Sequence, residues 1–260
     1  MNTLPYTPHG PGAEAVTISR VADNQWHAVE NDLVVGRGHA SRRLDGRTFV
    51  SIDTWRDAIF DQLAAAMLAD QSELLYTVVD ENDRDLRAGW ERAGFATSRR
   101  EYEFVVPTDL PVGPIPPDVV IAGADEGPLR LLDKAIRAEV EAAVGWQTMP
   151  AEVLPWQGGT RPMNASKYTV AIHDGRYVGM VRVATRTRRP RIGLVAVLVD
   201  EQWHGIGRAL LTHVLQGLHS AGFEAVTAEV DESNKAALGL FESLGARRTG
   251  TTLELVSREV

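Results

Sequence analysis

Two stretches of the chain, 151 positions apart, carry one pattern, and this internal repeat limits the fold more than any other feature. Residues 76–105, YTVVDENDRDLRAGWERAGFATSRREYEFV, align without a gap on residues 227–256, TAEVDESNKAALGLFESLGARRTGTTLELV. Identities fall at Val79/Val230, Asp80/Asp231, Glu81/Glu232, Glu91/Glu242, Gly94/Gly245 and Glu103/Glu254, and Trp90 falls on Phe241. Upstream, Ala28/Ala171, Val35/Val178 and Gly36/Gly179 match at an offset of 143. A repeat this long is one supersecondary unit used twice. The chain is therefore expected to be built as two related halves.

Length agrees: 260 residues against about 100–200 per domain favours two small domains over one large one. With 44% apolar and 24% charged residues, disorder, collagen and coiled coil are poor readings. Residues 107–118, PTDLPVGPIPPD, hold five prolines in twelve positions, which forbids helix and favours an extended spacer. The expected organisation is a flexible start over 1–13, a first domain over 14–106, a proline-rich linker over 107–118 and a second domain over 119–260. The net charge of −8 divides unevenly: residues 1–118 hold 19 acidic side chains against 11 arginines, and 119–260 hold 16 against 16. An acidic half repels polyphosphate, so no nucleic-acid partner is expected, and an anionic ligand belongs on the neutral half. No apolar run approaches the ~20 residues of a membrane span, and the start lacks the n- and h-regions of a secretory signal. No membrane association and a cytoplasmic location are expected. The absence of cysteine removes disulfides, thiolate metal sites and a cysteine nucleophile, and with it a covalent thioester intermediate; no metal is expected.

Changes of period locate the elements of the second half. Residues 168–173 and 177–184 flank an Asp174-Gly175-Arg176 hairpin turn. Residues 192–199 form a near-continuous β-branched run suited to a strand buried on both faces. Helical spacing follows Gly207 and ends at Gly222; 225–230 reads as strand, 234–244 as helix and 251–256 as strand. Before these, 129–144 and 150–154 read as helices. The first half leaves no room for early helices between strands 16–19 and 26–30, and only about five residues separate strand 49–52 from the helix beginning near Ala58. The fold class is α/β, a mixed and mostly antiparallel sheet flanked by helices.

Between strand 192–199 and the next helix lies Asp200-Glu201-Gln202-Trp203-His204-Gly205-Ile206-Gly207-Arg208. Glycines there let backbone approach a ligand closely, and the first N–H groups of the helix, at its positive dipole end, suit an anion such as phosphate. A plain helix-start turn would also use two glycines. A nucleotide P-loop needs Lys-Ser/Thr where Arg208-Ala209 stands, and a dinucleotide fold needs parallel βαβ units where three successive strands stand.

Gln202, Gly205 and Gly207 resemble the Arg/Gln-x-x-Gly-x-Gly/Ala signature with which the GNAT superfamily of N-acetyltransferases binds the pyrophosphate of acetyl-CoA. Asn234, Ala237, Leu244 and Gly245 resemble its second signature, Asn-x-x-Ala with a later Leu-Gly. The similarity covers 119–256, with a degenerate echo over 14–106, and implies a tandem GNAT protein whose sheet splays between strands four and five of the second copy. It implies acetyl-CoA as cofactor, with backbone amides supplied by Trp203, His204, Ile206 and Arg208 and pantetheine contacts at Leu198 and Val199. Glu229, in Glu-Val-x-x-x-Asn, resembles the carboxylate used by ribosomal-protein alanine acetyltransferases and is the first choice of general base. A carboxylate there can attract an ammonium ion and take its proton, although alternate charged positions also suit a wet sheet face. Asp231 is second choice.

The tyrosine that commonly protonates the leaving thiolate falls at Phe241, which cannot donate. Ser233, a water, or no acid at all then serves, and Phe241→Tyr is expected not to reduce turnover. Glu139 and Glu141, on the helix that usually walls the acceptor site, suit a solvated face or a cation contact. Trp146, Met149, Trp156 and Met163 suit core packing or the wall of an apolar or cationic acceptor pocket. Arg186, Arg188, Arg189 and Arg191 form a solvated turn or recognise an acidic group.

Without a glycine loop or early helices, the first half is read as non-catalytic, packing against the second. The expected function is acetyl-CoA-dependent N-acetylation of a small amine by direct attack in a ternary complex, in a monomer or homodimer. The alternatives are a mycothiol-synthase-like acetyltransferase and a non-catalytic coenzyme A sensor.

Overall fold

Tight turns with left-handed backbone set the strand pairing in both halves. Asn31 and Asp32 take φ of 52° and 59°, and Asp174 and Gly175 take 49° and 71°, which matches the twist of a two-residue hairpin. The computed structural model describes residues 16–43, 45–71, 73–111, 113–143, 163–185 and 189–258. In the first half, β1 (Thr17–Ala22), β2 (Gln25–Glu30), β3 (Leu33–Arg42) and β4 (Thr48–Asp53) are followed by α1 (Asp57–Ala69), β5 (Leu75–Asp80), α2 (Arg84–Arg92) and β6 (Phe95–Pro107). In the second, β7 (Val119–Gly123) and α3 (Glu126–Ala143) precede β8 (Tyr168–His173), β9 (Arg176–Ala184), β10 (Arg191–Val197), α4 (Ile206–Ser220), β11 (Ala225–Asp231), α5 (Lys235–Glu242) and β12 (Arg247–Ser257). Only Asp23 and Asn24 join β1 to β2, so no helix intervenes there. The helix expected over 150–154 lies outside the described residues. Among the described residues, no helix is long and apolar enough to cross a membrane.

The twelve strands among the described residues form one mixed sheet, in the order β1-β2-β3-β4-β5-β12-β6-β11-β10-β9-β8-β7. The last strand of each half thus lies in the other half. β6 runs antiparallel to β11, from Ala225↔Pro107 to Asp231↔Glu101, and β12 runs antiparallel to β5, from Thr252↔Asp80 to Val256↔Tyr76. The two exchanged strands pair with each other over Arg247↔Val105 to Ser257↔Phe95 at the centre of the sheet. Each hydrophobic core is mixed in consequence. Leu253 and Leu255 of β12, both 0% exposed, join Trp26, Phe60, Leu63 and Trp90 in the first. Phe104 and Val106 of β6 join Leu210, Leu215, Val226 and Phe241 in the second.

Residues 107–111 and 113–118, from the stretch expected as a spacer, are docked along α4. Thr108 N–H donates to Glu224 O (3.1 Å) and its hydroxyl to Phe223 O (2.5 Å) beyond the C-terminal end of the helix. A Cβ on Gly113 would lie 3.4 Å from Thr212 Oγ1, midway along α4, and one on Gly205 would lie 3.7 Å from Pro116 Cγ at its start. The fixed φ of the prolines suits such an extended run.

Candidate active site

Only three residues, 54–56, connect β4 to α1, whereas eight, 198–205, connect β10 to α4. The longer connection makes a 3-10 turn over Val199–Glu201, turns at Trp203 (φ 66°), which is 87% exposed, and enters the helix through Gly205 (φ 84°). Any other L-residue would be strained at Gly205. The first bond across this start, Ala209 N–H to Gly205 O (3.0 Å), leaves the N–H groups of Ile206, Gly207 and Arg208 without an intrahelical acceptor. Other helices answer this need internally. Asp83 accepts from Leu86 N–H (3.1 Å) at α2, Asn234 accepts from Ala237 N–H (3.0 Å) at α5, and α1 and α3 carry Asp57 and Glu126 in their first turns. Among the described α-helices, α4 alone has neither a side-chain cap nor a first-turn acid. Its positive end is available to an external anion.

Behind the loop, β10 leaves β11. The two parallel strands are in register only at Arg191↔Thr227 and Ile192↔Ala228. Gly193, the next residue, is an extra one with no partner in the β9 register, and such a bulge bends and twists a strand. Strands β10 and β11 are therefore splayed toward their C-terminal ends. Leu198 N–H donates to Val178 O (2.9 Å) on β9, so Leu198 does not present its amide to the gap as expected. By the alternation of an antiparallel edge, Val197 turns its N–H and C=O toward the gap instead. The Gln202 side chain reaches back along that edge, donating from Nε2 to Val197 O (3.0 Å). Val199 N–H donates to the Glu139 carboxylate (3.1 Å), so the second expected amide is held by a side chain of α3. The run 192–199, expected as one strand buried on both faces, ends at Val197, is mostly half-buried and leaves Val199 exposed.

Val226, Ala228 and Val230 of β11 face the core with Phe241, and Glu229 and Asp231 alternate to the opposite face. Glu229 lies one residue beyond the last β10–β11 register pair, and its Oε2 accepts from Arg191 Nη1 at 2.7 Å. Asp231 is committed elsewhere: it pairs with Arg99 Nε (3.1 Å) and accepts from the N–H (2.8 Å) and hydroxyl of Ser233. Asp231 and Ser233, expected as base and acid, thus form a turn leading to the Asn234 cap. Arg99 also pairs with Glu101, and both belong to exchanged strand β6. Burial pushes the Glu101 carboxyl above its usual range; Arg99 opposes this, and Glu229, Glu254 and Asp231 add to it. Sequence reasoning missed Glu101, because nothing near it in sequence shows that β6 lies beside β11.

Asn234 and Ala237 are joined by the cap itself, so their spacing is that of an N-cap and its N3 amide. Phe241, expected at the cofactor, is 4% exposed, with its ring stacked on Phe104 (6.2 Å between centroids, 14° between planes). A tyrosine hydroxyl there would enter the core. Phe241→Tyr is expected to lower the unfolding free energy by about 1–3 kcal/mol, measured by urea denaturation; an unchanged midpoint would mean that the ring edge reaches water. Trp203, His204 and Glu141 are exposed and Met163 is half-buried against the second core. Trp146, Met149, Trp156, Arg186 and Arg188 lie outside the described residues.

Residues 134–246 match the model of the acetyltransferase (GNAT) family. That segment of the chain is similar to this family. The GNAT match runs from α3 to the end of α5 and so contains the glycine loop, the splayed edge and Glu229. The [ribosomal protein bS18]-alanine N-acetyltransferase of Escherichia coli (strain K12) is 47% identical over 51 residues, 20% of this chain and 34% of that protein, so the match spans about a third of its length. A GCN5-related N-acetyltransferase from Sphaerobacter thermophilus has a similar structure (TM-score 0.69, 16% identity, 92% of this chain and 82% of that one). A tandem GNAT protein from the clavulanic acid biosynthesis pathway also does (TM-score 0.62, 16% identity, 96% and 85%). These two likenesses establish a shared GNAT fold across nearly the whole chain.

Proposed function

We propose that the protein is an acetyl-CoA-dependent N-acetyltransferase of a small amine, with one catalytic centre, in the second half. The observation that carries this is the bare start of α4, whose Ile206, Gly207 and Arg208 amides stand behind a glycine loop at the open end of the β10–β11 gap. The residues fit the donor. Those three amides would hold the diphosphate, with Gln202, Trp203, His204 and Gly205 shaping the loop, and Val197 would offer its N–H and C=O to the pantetheine amides. Bound acetyl-CoA supplies an acetyl group activated as a thioester. Glu229, near the closed end of the gap, takes the proton of the incoming ammonium, and Arg191 fixes its carboxylate until the amine arrives. With no cysteine in the chain, a cysteine relay is excluded and direct attack within a ternary complex is the simplest route.

The test is thiol release from acetyl-CoA over a panel of small amines, including an amino-terminal alanine peptide. The similarity to an alanine N-acetyltransferase motivates that last substrate. Glu229→Gln is expected to lower kcat by about a hundredfold with little change in KM for acetyl-CoA. An unchanged kcat would remove Glu229 from the mechanism. Phenylalanine at position 241, which carries no hydroxyl to protonate a leaving thiolate, favours a coenzyme A sensor as the second reading. Binding without thiol release for every amine would select it.

A further inference from the structure

Glu201 closes the 3-10 turn that leads into the glycine loop, held there by its N–H to Leu198 O (2.9 Å). Its side chain is 11% exposed and each carboxylate oxygen has a cationic partner on the β8–β9 hairpin: Oε2 with His173 Nδ1 (2.9 Å) and Oε1 with Arg176 Nη2 (2.9 Å). These partners flank the left-handed Asp174-Gly175 turn, so a rigid hairpin tip grips the residue next to Gln202. Arg176 also reaches Asp200 (3.4 Å). The first half has the same kind of tie with the charges reversed. Glu30, which aligns on His173 at the offset of 143, pairs with Arg56 at the start of α1 (3.0 Å). Hairpin-to-loop pairing is therefore part of the repeated unit, but in the second half it includes an imidazole.

We propose that Glu201, gripped by His173 and Arg176, is the positioning residue that holds the glycine loop for anion binding, and that the grip loosens when His173 loses its proton. This rests on the proposal that coenzyme A binds at α4. The charged groups around His173 are Asp174 and Arg176 of its own hairpin, Asp118 preceding β7, and Asp200 and Glu201 of the loop. The hydrogen bond to Glu201 holds the imidazole above its usual range; desolvation opposes this, and the charges of Glu201, Asp174 and Asp118 reinforce it. The raised value fixes the sign. The full ion pair is present below the ordinary imidazole range and is lost as pH rises through the raised value, leaving only a hydrogen bond from the neutral imidazole to the carboxylate. Affinity for coenzyme A should fall over the same interval.

Calorimetric titration of the full chain with coenzyme A between about pH 6 and about pH 9 tests this, with Glu201→Gln and His173→Asn as variants. Glu201→Gln is expected to raise Kd about tenfold near pH 7. The wild-type protein should lose about threefold in affinity across the range relative to His173→Asn, whose profile subtracts the ligand's own titration. Thermal unfolding of each variant shows whether the fold persists, and a merely structural clamp would shift Tm without changing the pH profile. Unchanged Kd in Glu201→Gln, or parallel profiles for wild type and His173→Asn, would overturn the inference while leaving the α4 site in place. Failure of the wild-type protein to bind coenzyme A at all would overturn the functional proposal and this inference with it.

Discussion

Leu253→Ala, near the end of the chain, is expected to destabilise the core formed by residues 26–95 and to leave the second core largely intact. Leu253 is fully buried among Trp26, Phe60, Leu63 and Trp90, because β12 lies between β5 and β6. Truncating a buried leucine removes its transfer energy and leaves a cavity, at about 2–5 kcal/mol. Phe104→Ala is the reciprocal change: it removes a residue encoded in the first half from the core around Phe241. Native-state hydrogen exchange reads both effects. Amides of α1 and α2 should lose protection first in Leu253→Ala, and those of α4 and α5 first in Phe104→Ala. The reverse assignment would show that each half keeps its own last strand.

Gly207→Asp is expected to abolish coenzyme A binding while leaving the fold as stable as before, or slightly more so. A Cβ at Gly207 would meet Leu240 at 3.5 Å and Val197 at 3.8 Å, both ordinary contacts, so the chain itself does not require glycine there. An acid in the first turn complements the helix dipole by about 0.3–1 kcal/mol, as Asp57 can at α1. The same carboxylate would face the ligand's diphosphate, and like charges brought together cost several kcal/mol, so Kd should rise more than about a hundredfold. Opposite signs for stability and binding separate this from simple misfolding. Binding within about threefold of wild type would mean that the anion lies elsewhere.

Element order was legible because it rests on local signals: alternation for strands, 3.6-residue spacing for α4, and turn chemistry at Asp174-Gly175. The exchange of β6 and β12 was not. The two strands occupy equivalent places in the repeat, Glu103 aligning on Glu254, so each carries a pattern that fits either half. Only long-range packing, such as Phe104 on Phe241 or Leu255 beside Trp90, decides between them. The glycine loop was legible because positive φ at Gly205 demands that residue. The strand edge beside it was misread because the bulge at Gly193 disrupts the ladder within a run whose composition looks uninterrupted. The expected roles of Asp231 and Phe241 gave way for a related reason: their partners, Arg99 and Phe104, come from the other half.

A crystal structure of the protein with coenzyme A is the most direct test of a single anion site. The account predicts diphosphate oxygens within hydrogen-bond distance of the Ile206, Gly207 and Arg208 amides, the pantetheine arm along Val197, and no ligand at the start of α1, where Asp57 stands. A diphosphate bound at α1 beside Trp55, or bound away from α4 altogether, would contradict it.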